Sequence, residues 1–447
     1  MVLQGHTGRI VRCTLPPGGL VLMLGERVGL LAQYIIKGGR RLTGTVEAHG
    51  AKNAVLPLLA ATLLTKKSTL HNCPQLTDCT AACNILRYLG CQVAEDGNTI
   101  AVDPSALQAC DIPDNLMREM RSSVLFLGAI IACCGKARIS LPGGCELGPR
   151  PIDLHLKALE KLGVVITEDH GYLECTVPDT LRGADIILPF PSVGATENTL
   201  LAACTARGKT ILHNAAREPE ITDLVDFLNA AGARIAIVPN GSIHIDGVKQ
   251  LGEVEHRVIP DRIVAATYLT CAAITGGSIT LTRVVPEHMK AIFPLLEEMG
   301  ADLEQKQDSI SLKMPRRPGP VRLVSTMPYP GFPTDAQAPL MALSTVANGS
   351  SVYVERIFEN RYKHAAELAR MGAKIKVEGN VAVVEGVGKL HGAPVVCTDL
   401  RGGAALVVAA LAAEDTSHVD EIFHVERGYQ DFEQILCHLG ADIRRKA

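Results

Sequence analysis

The 447-residue chain has no tryptophan, and aromatic residues make up only 4% of it. Proteins that grip single-stranded nucleic acid rest bases on aromatic faces, which this chain can hardly supply. An excess of either charge is missing too. Against 47 acidic residues stand 44 Lys and Arg, a net of −3, so neither nucleic acid nor an anionic membrane is the expected partner. The longest apolar run, 124–135, falls well short of the ~20 residues that cross a bilayer. No CxxC pair occurs among the 14 cysteines; Cys79 and Cys83 stand four apart with no His-rich partner cluster. Cys133 and Cys134 lie in an apolar run, where a free thiol acts as a small hydrophobe. A disulfide framework and structural zinc are therefore not expected, and a reducing, cytoplasmic setting is. No histidine has another four residues away, and His49, His155, His213 and His288 receive no role as ligand or base. GxGxxG and GxxxxGK are both missing, which removes the dinucleotide and P-loop fingerprints.

What is present is an aliphatic core: 47% hydrophobic against 20% charged residues, enough for two or three domains at about 150 residues each. Residues 1–30 stand apart as an N-terminal extension. Their apolar stretch is split by Glu26 and Arg27, and 18–25 is short for a signal segment. Met23 is an alternative start, and residues 1–22 are expected to be dispensable.

The rest is a sixfold repeat. The segments ILRYLGCQV, ALEKLGVVI, FLNAAGARI, LLEEMGADL, ELARMGAKI and ILCHLGADI place Gly90, Gly163, Gly232, Gly300, Gly372 and Gly440 between 68 and 73 residues apart. Each glycine follows an amphipathic helical pattern and precedes an alternating strand, where a left-handed helix end is wanted. Upstream of each stands an Ala-rich stretch, such as NAVLPLLAATLL or AALVVAALAAED, apolar on every side and so enclosed by other elements. The expectation is an α/β fold of two domains, each of three modules of about 70 residues with sheets around a helical core.

Polar residues recur at equivalent places. Before the apolar helices stand Lys52-Asn53, Arg121-Ser122, Ser192-Val193-Gly194, Asp261-Arg262, Thr334-Asp335 and Asp399-Leu400-Arg401. A cleft between facing domains would gather Lys52, Arg121, Arg150, Arg361, Arg401 and Arg427 with Asp335. Like charges 4 Å apart repel by roughly 4 kcal/mol at an effective dielectric near 20, so such a cluster is expected opposite a polyanion. The plainer reading of each residue, as a helix cap or surface ion pair, stays open; Asp335 and Asp399 both suit N-caps. The stretch LPGGCELGPRPIDLHL carries Gly143, Gly144 and Gly148 around Cys145, with Arg150 near. Its polarity and glycine content suit a lid, and neighbouring cations favour the thiolate of Cys145. A merely structural cysteine remains the equal alternative.

The motifs GAKNA, PGGCELGPRPIDLH, NAAREPEITD, HRVIPDRI, GFPTDAQAP, FENRY, DLRGGAAL and RGYQDFEQIL, in order from about Tyr34 to Arg445, resemble those of the enolpyruvyl transferases, specifically the UDP-N-acetylglucosamine 1-carboxyvinyltransferase family. The resemblance implies a pair of inside-out α/β barrels, one of residues 52–259 and one of 31–51 plus 260–447, with the active site between them. It implies transfer of enolpyruvate from phosphoenolpyruvate to the sugar 3′-hydroxyl with release of phosphate, in bacterial peptidoglycan synthesis, with these two small molecules as partners and no metal or organic cofactor. Carried over, Lys52 and Arg150 would hold the phosphoenolpyruvate phosphate, Asn53 would also contact phosphoenolpyruvate, and Arg361, Arg401 and Arg427 would meet its carboxylate or line the same pocket. Cys145, Asp335, Lys52 and Arg427 would be catalytic. Asp335 would take the hydroxyl proton, and Cys145 would protonate the methylene carbon or carry a pyruvate adduct, which makes it a target for the epoxide fosfomycin. The UDP-sugar would lie against Asn53, Arg121, Arg150, Pro151, Ile152, Asp153, Leu154, Ser192, Val193, Gly194, Asp335 and Ile357. Glu146, Leu147 and Pro149 depart from the smaller residues many members carry, as do Gly402 and Gly403 from a common Ala-Ser. Two alternatives are the 3-phosphoshikimate enzyme, whose loop lacks the cysteine, and a non-catalytic UDP-sugar-binding paralogue.

Overall fold

The computed structural model describes residues 32–120, 122–140 and 152–446. Six apolar helices form its interior: α1 (Lys52–Ala61), α2 (Phe126–Cys134), α3 (Val193–Ala203), α4 (Arg262–Ile274), α5 (Thr334–Ser344) and α6 (Leu400–Ala412). Every residue of α4 is buried, and small side chains let α4, α5 and α6 lie against one another. An Ala-rich helix with no polar face has nowhere stable to sit except inside. The C-terminal end of α2 is the exception, where Cys133 is exposed rather than buried as its apolar run suggested.

Around the helices lie six four-stranded sheets of one topology. In the first, Val254–Arg257 runs parallel to Ser68–His71, which pairs antiparallel with Thr99–Asp103 and through it with Gln92–Asp96. In each module an amphipathic helix follows the strand at the parallel pairing, as Thr77–Leu89 follows Ser68–His71, and each helix stops at the glycine of the repeat. Gly90, Gly163, Gly232, Gly300, Gly372 and Gly440 have φ of 104°, 97°, 105°, 96°, 90° and 101°. That left-handed conformation turns the chain from helix into strand.

The sixth sheet borrows from the start of the chain. Gln33–Lys37 inserts between Thr416–Asp420 and Asp442–Lys446, in the place a hairpin strand fills elsewhere. Thr43–Glu47 then runs parallel to Ser278–Thr282. Residues 32–48 thereby join 264–443 in one hydrophobic cluster, while 51–258 make a second. The two crossings between clusters are tied to each other: Ala51 N donates to Ile259 O at 2.7 Å and Asp261 N to His49 O at 2.8 Å. A Cβ on Gly50 would stand 1.8 Å from Asn72 O, so no other residue fits that crossing.

Candidate active site

Three apolar-helix N-termini, carrying Lys52, Asp335 and Arg401, meet Asp78 at the start of an amphipathic helix and Arg361 and Arg427 from loops and turns. Lys52 opens α1 and its Nζ lies 2.9 Å from Asp78 Oδ2. Asp78, 1% exposed, opens the helix Thr77–Leu89 and also accepts two bonds from Arg427, at 2.9 and 3.2 Å. Arg427 belongs to the other cluster's side of the chain, so Asp78 joins the two. On that other side, Asp335 in the first turn of α5 accepts Arg361 Nη2 at 2.8 Å and Arg401 Nη2 at 3.1 Å. Arg401 in turn stands in the first turn of α6, whose cap is Asp399 accepting from the amides of Arg401 and Gly402 at 3.0 Å.

Burial alone would raise the carboxyl of Asp335, but Arg401, Arg361 and Lys52 outweigh it and hold it well below the usual carboxylate range. Asp78 behaves likewise: burial raises it, while Lys52 and Arg427 bring it below its ordinary value. Lys52, from the other cluster, is among the charges that lower Asp335, so the two ion-paired groups lie within electrostatic reach of each other. Burial works against the charge of Arg401, yet Tyr429, Asp335 and Asp261 offset it and leave the guanidinium firmly protonated.

Asp261, whose charge also supports Arg401, and Asp399, which caps the helix that Arg401 opens, stand beside these pairs, and several guanidinium donors remain open. The Nε of Arg361 and the Nε and Nη1 of Arg401 are buried without an acceptor. Tyr429 lies with its ring centre 5.4 Å from Arg401, and its hydroxyl, which bonds Thr267 at 2.9 Å, also supports the charge of the guanidinium. Buried guanidinium donors left open at helix N-termini make a site for an anion with planar, bidentate oxygens. The cations do not rely only on an external polyanion, the partner expected from the sequence, because Asp78 and Asp335 already neutralise part of their charge from within.

The structure therefore unites Lys52, Arg361, Arg401, Arg427 and Asp335. Asn53 is exposed beside Lys52 at the start of α1. Ser192 caps α3, its Oγ accepting from Ala195 N at 3.4 Å, and Val193 and Gly194 follow half-buried. Gly194 lies so near His155 that a Cβ would come within 2.7 Å of its ring, which joins this turn to the segment of Ile152, Asp153 and Leu154. Ile357 is half-buried, with its amide donating to Glu355 Oε1 at 2.7 Å. Arg121, Cys145, Arg150 and Pro151 lie outside the described residues, as does the extension 1–30. Asp335 is no N-cap, since Pro333 holds that position without a side-chain bond; Asp399 is one. Sequence reading missed Asp78. Its only signal was its place in the segment NCPQLTD, between a strand and the amphipathic helix that follows, and nothing local told that its carboxylate turns inward.

Comparison with known proteins bears on the chemistry. The family model described as EPSP synthase (3-phosphoshikimate 1-carboxyvinyltransferase) matches residues 36–436. The chain is 50% identical over 416 residues to UDP-N-acetylglucosamine 1-carboxyvinyltransferase 2 of Caldanaerobacter subterraneus subsp. tengcongensis, covering 93% of this chain and 100% of that one. It is 51% identical over 419 residues to UDP-N-acetylglucosamine 1-carboxyvinyltransferase 1 of Symbiobacterium thermophilum, with 92% and 95% covered. Among solved structures, the enolpyruvyl transferase NikO of Streptomyces tendae superposes with a TM-score of 0.85 at 27% identity, over 93% of this chain and 99% of that one. An EPSP synthase of Acinetobacter baumannii superposes at 0.73 with 19% identity over 93% and 100%, a likeness of fold alone.

Proposed function

Since the chain belongs to the UDP-N-acetylglucosamine 1-carboxyvinyltransferase family of enolpyruvyl transferases, we propose the following division of labour among its residues. The enzyme transfers the enolpyruvyl group of phosphoenolpyruvate to the 3′-hydroxyl of UDP-N-acetylglucosamine and releases phosphate, a step of peptidoglycan synthesis. The curated relatives near 50% identity favour this acceptor over 3-phosphoshikimate. The observation that carries the assignment of residues is the set of Lys52, Arg361, Arg401 and Arg427 converging on two carboxylates with spare donors.

Phosphoenolpyruvate, a compact trianion, enters against those cations. Its phosphate meets Lys52, Asn53 and Arg150, and its carboxylate takes the open donors of Arg361 and Arg401, with Arg427 beside it. As the guanidiniums turn to the substrate they release Asp335. The influence that depresses its carboxyl weakens, and it becomes a better base for the 3′-hydroxyl proton. The alkoxide attacks C2 of phosphoenolpyruvate while Cys145 delivers a proton to the C3 methylene. The tetrahedral phospholactoyl ketal then collapses: the Cys145 thiolate takes a proton back from C3, the C2–O bond to phosphate breaks, phosphate leaves with that electron pair and the C2–C3 double bond returns. The UDP-sugar rests on Asn53, Arg121, the 150–154 segment, Ser192–Gly194 and Ile357.

The two clusters with their paired crossings at 49–51 and 259–261 support a reading as two inside-out barrels, 52–259 and 31–51 plus 260–447, with the site between them. A cytoplasmic location belongs to the same reading, and the described cysteines are free thiols.

Phosphate release with phosphoenolpyruvate and either acceptor tests the function. Release with UDP-N-acetylglucosamine and none with 3-phosphoshikimate is expected, and the opposite pattern overturns the assignment. Cys145→Ser, a far weaker acid, should lose nearly all turnover while still binding the UDP-sugar. Cys145→Asp should keep substantial activity and resist fosfomycin. Normal turnover by the serine variant would remove Cys145 from the proton transfer.

A further inference from the structure

The backbone of Lys52 is held by a residue 209 positions away. Helix α1 has no side-chain cap of its own; the residue before it is Ala51. Instead Asp261 Oδ2 accepts from Lys52 N at 3.2 Å. The other oxygen of the same carboxylate, Oδ1, accepts from Ile263 N and Val264 N at 2.9 Å each and so caps α4. Asp261 is 4% exposed and its own amide is tied to His49 O across the paired crossings. One buried carboxylate thus caps two helices, one from each hydrophobic cluster, at the place where the chain passes between them. A cap of this kind fixes the first turn of a helix, and the first residue of α1 carries the ammonium that meets Asp78.

We propose that Asp261 is a positioning residue that sets where the Lys52 ammonium stands relative to Asp335 and the arginines. The kinetic part of this rests on the function proposed above, because Lys52 is read there as a phosphate ligand. Asp261 touches no substrate in this reading; it acts through the α1 backbone, while its charge also supports Arg401, so exchange at 52–55 is the readout specific to the tie with α1. A carboxylate is required because both of its oxygens only accept. Asparagine has a single acceptor oxygen, and an amide nitrogen that cannot receive the Lys52 N–H. Keeping two bonds to α4 outweighs keeping one to α1, so Asp261→Asn should retain the α4 cap and lose the tie to Lys52. Asp261→Ala loses both.

The test measures hydrogen exchange of the full chain by mass spectrometry, together with steady-state kinetics. For Asp261→Asn, amides of residues 52–55 should exchange at least tenfold faster than in wild type, while those of 263–266 change less than twofold. KM for phosphoenolpyruvate should rise at least tenfold with KM for the UDP-sugar within twofold and the melting temperature close to wild type. Asp261→Ala should speed exchange in both segments and melt lower. Unchanged exchange at 52–55 in Asp261→Asn overturns the proposal, as does an equal rise of both KM values. If the wild type releases no phosphate from these substrates, the function falls and the exchange measurement still decides the role of Asp261.

Discussion

Asp78 and Asp335 do at residue scale what the substrate does later: each gives two cations a partner in a site that would otherwise repel itself. Removing one member of a buried pair leaves charge uncompensated and typically costs ~3–5 kcal/mol. Asp78→Asn should therefore lower the urea midpoint at neutral pH. The folded pKa of Asp78 lies below its unfolded value, so its contribution is complete above about pH 4–5 and disappears as pH falls through the folded value. The difference between wild type and Asp78→Asn should accordingly shrink on acidification; a constant difference down to pH 3 would show that packing, not charge, is lost. Arg401→Ala tests the other pair. It removes open donors as well as a partner of Asp335, and deletion of one charge-assisted contact commonly costs ~2–5 kcal/mol. KM for phosphoenolpyruvate should rise more than tenfold and that for the UDP-sugar little. Equal increases would mean that the arginine shapes the fold rather than reads the acid. The candidate residues Lys52, Arg361, Arg401, Arg427 and Asp335 were legible because the repeat puts them at equivalent helix starts or loops. Their pairing was not: Arg427 reaches Asp78 across 349 residues, and no local pattern encodes which carboxylate turns toward which cation.

At the scale of elements, the repeat was legible because each module obeys the same local chemistry: an apolar helix, an amphipathic helix, a left-handed glycine, a hairpin. The glycines are equivalent in φ but not in surroundings, and that difference is measurable. At Gly163 the nearest atom to an added Cβ is Thr180 O, 3.9 Å away, so Gly163→Ala carries only the left-handed penalty of about 1–2 kcal/mol. At Gly90 the same atom would stand 2.5 Å from Ala106 O and 3.2 Å from Gln108 N, so backbone must move as well. Gly90→Ala should lower the denaturant midpoint clearly more than Gly163→Ala, with m-values alike; matching midpoints would show that the loop at 106–108 yields without cost. What the repeat could not show is the borrowed strand. Gln33–Lys37 completes the sixth sheet from the opposite end of the chain, and a five-residue strand with no fixed sequence distance to its partners leaves no periodic trace.

For the whole molecule, the ligand contacts proposed for the UDP-sugar fall on both sides of the paired crossings: Asn53 and Ser192–Gly194 on one, Asp335 and Ile357 on the other. A ligand shifts an equilibrium between open and closed arrangements only by the difference in its affinity for them. One that bridges two bodies has such a difference by construction, since its second set of contacts exists only when they meet. The crossings allow this movement without breaking either core, because the two hydrophobic clusters have no residue in common and the chain passes between them at 48–51 and 258–264. The UDP-sugar alone should therefore reduce the radius of gyration in solution scattering, and phosphoenolpyruvate alone should do so less, being small and held mainly by cations that Asp78 and Asp335 already pair. Saturation at a hundred times the dissociation constant should add about 2.7 kcal/mol to stability by mass action. A rise in melting temperature with no compaction would mean that the sugar binds one body only, and that the site of Lys52, Asp78 and Arg427 is already closed before substrate arrives.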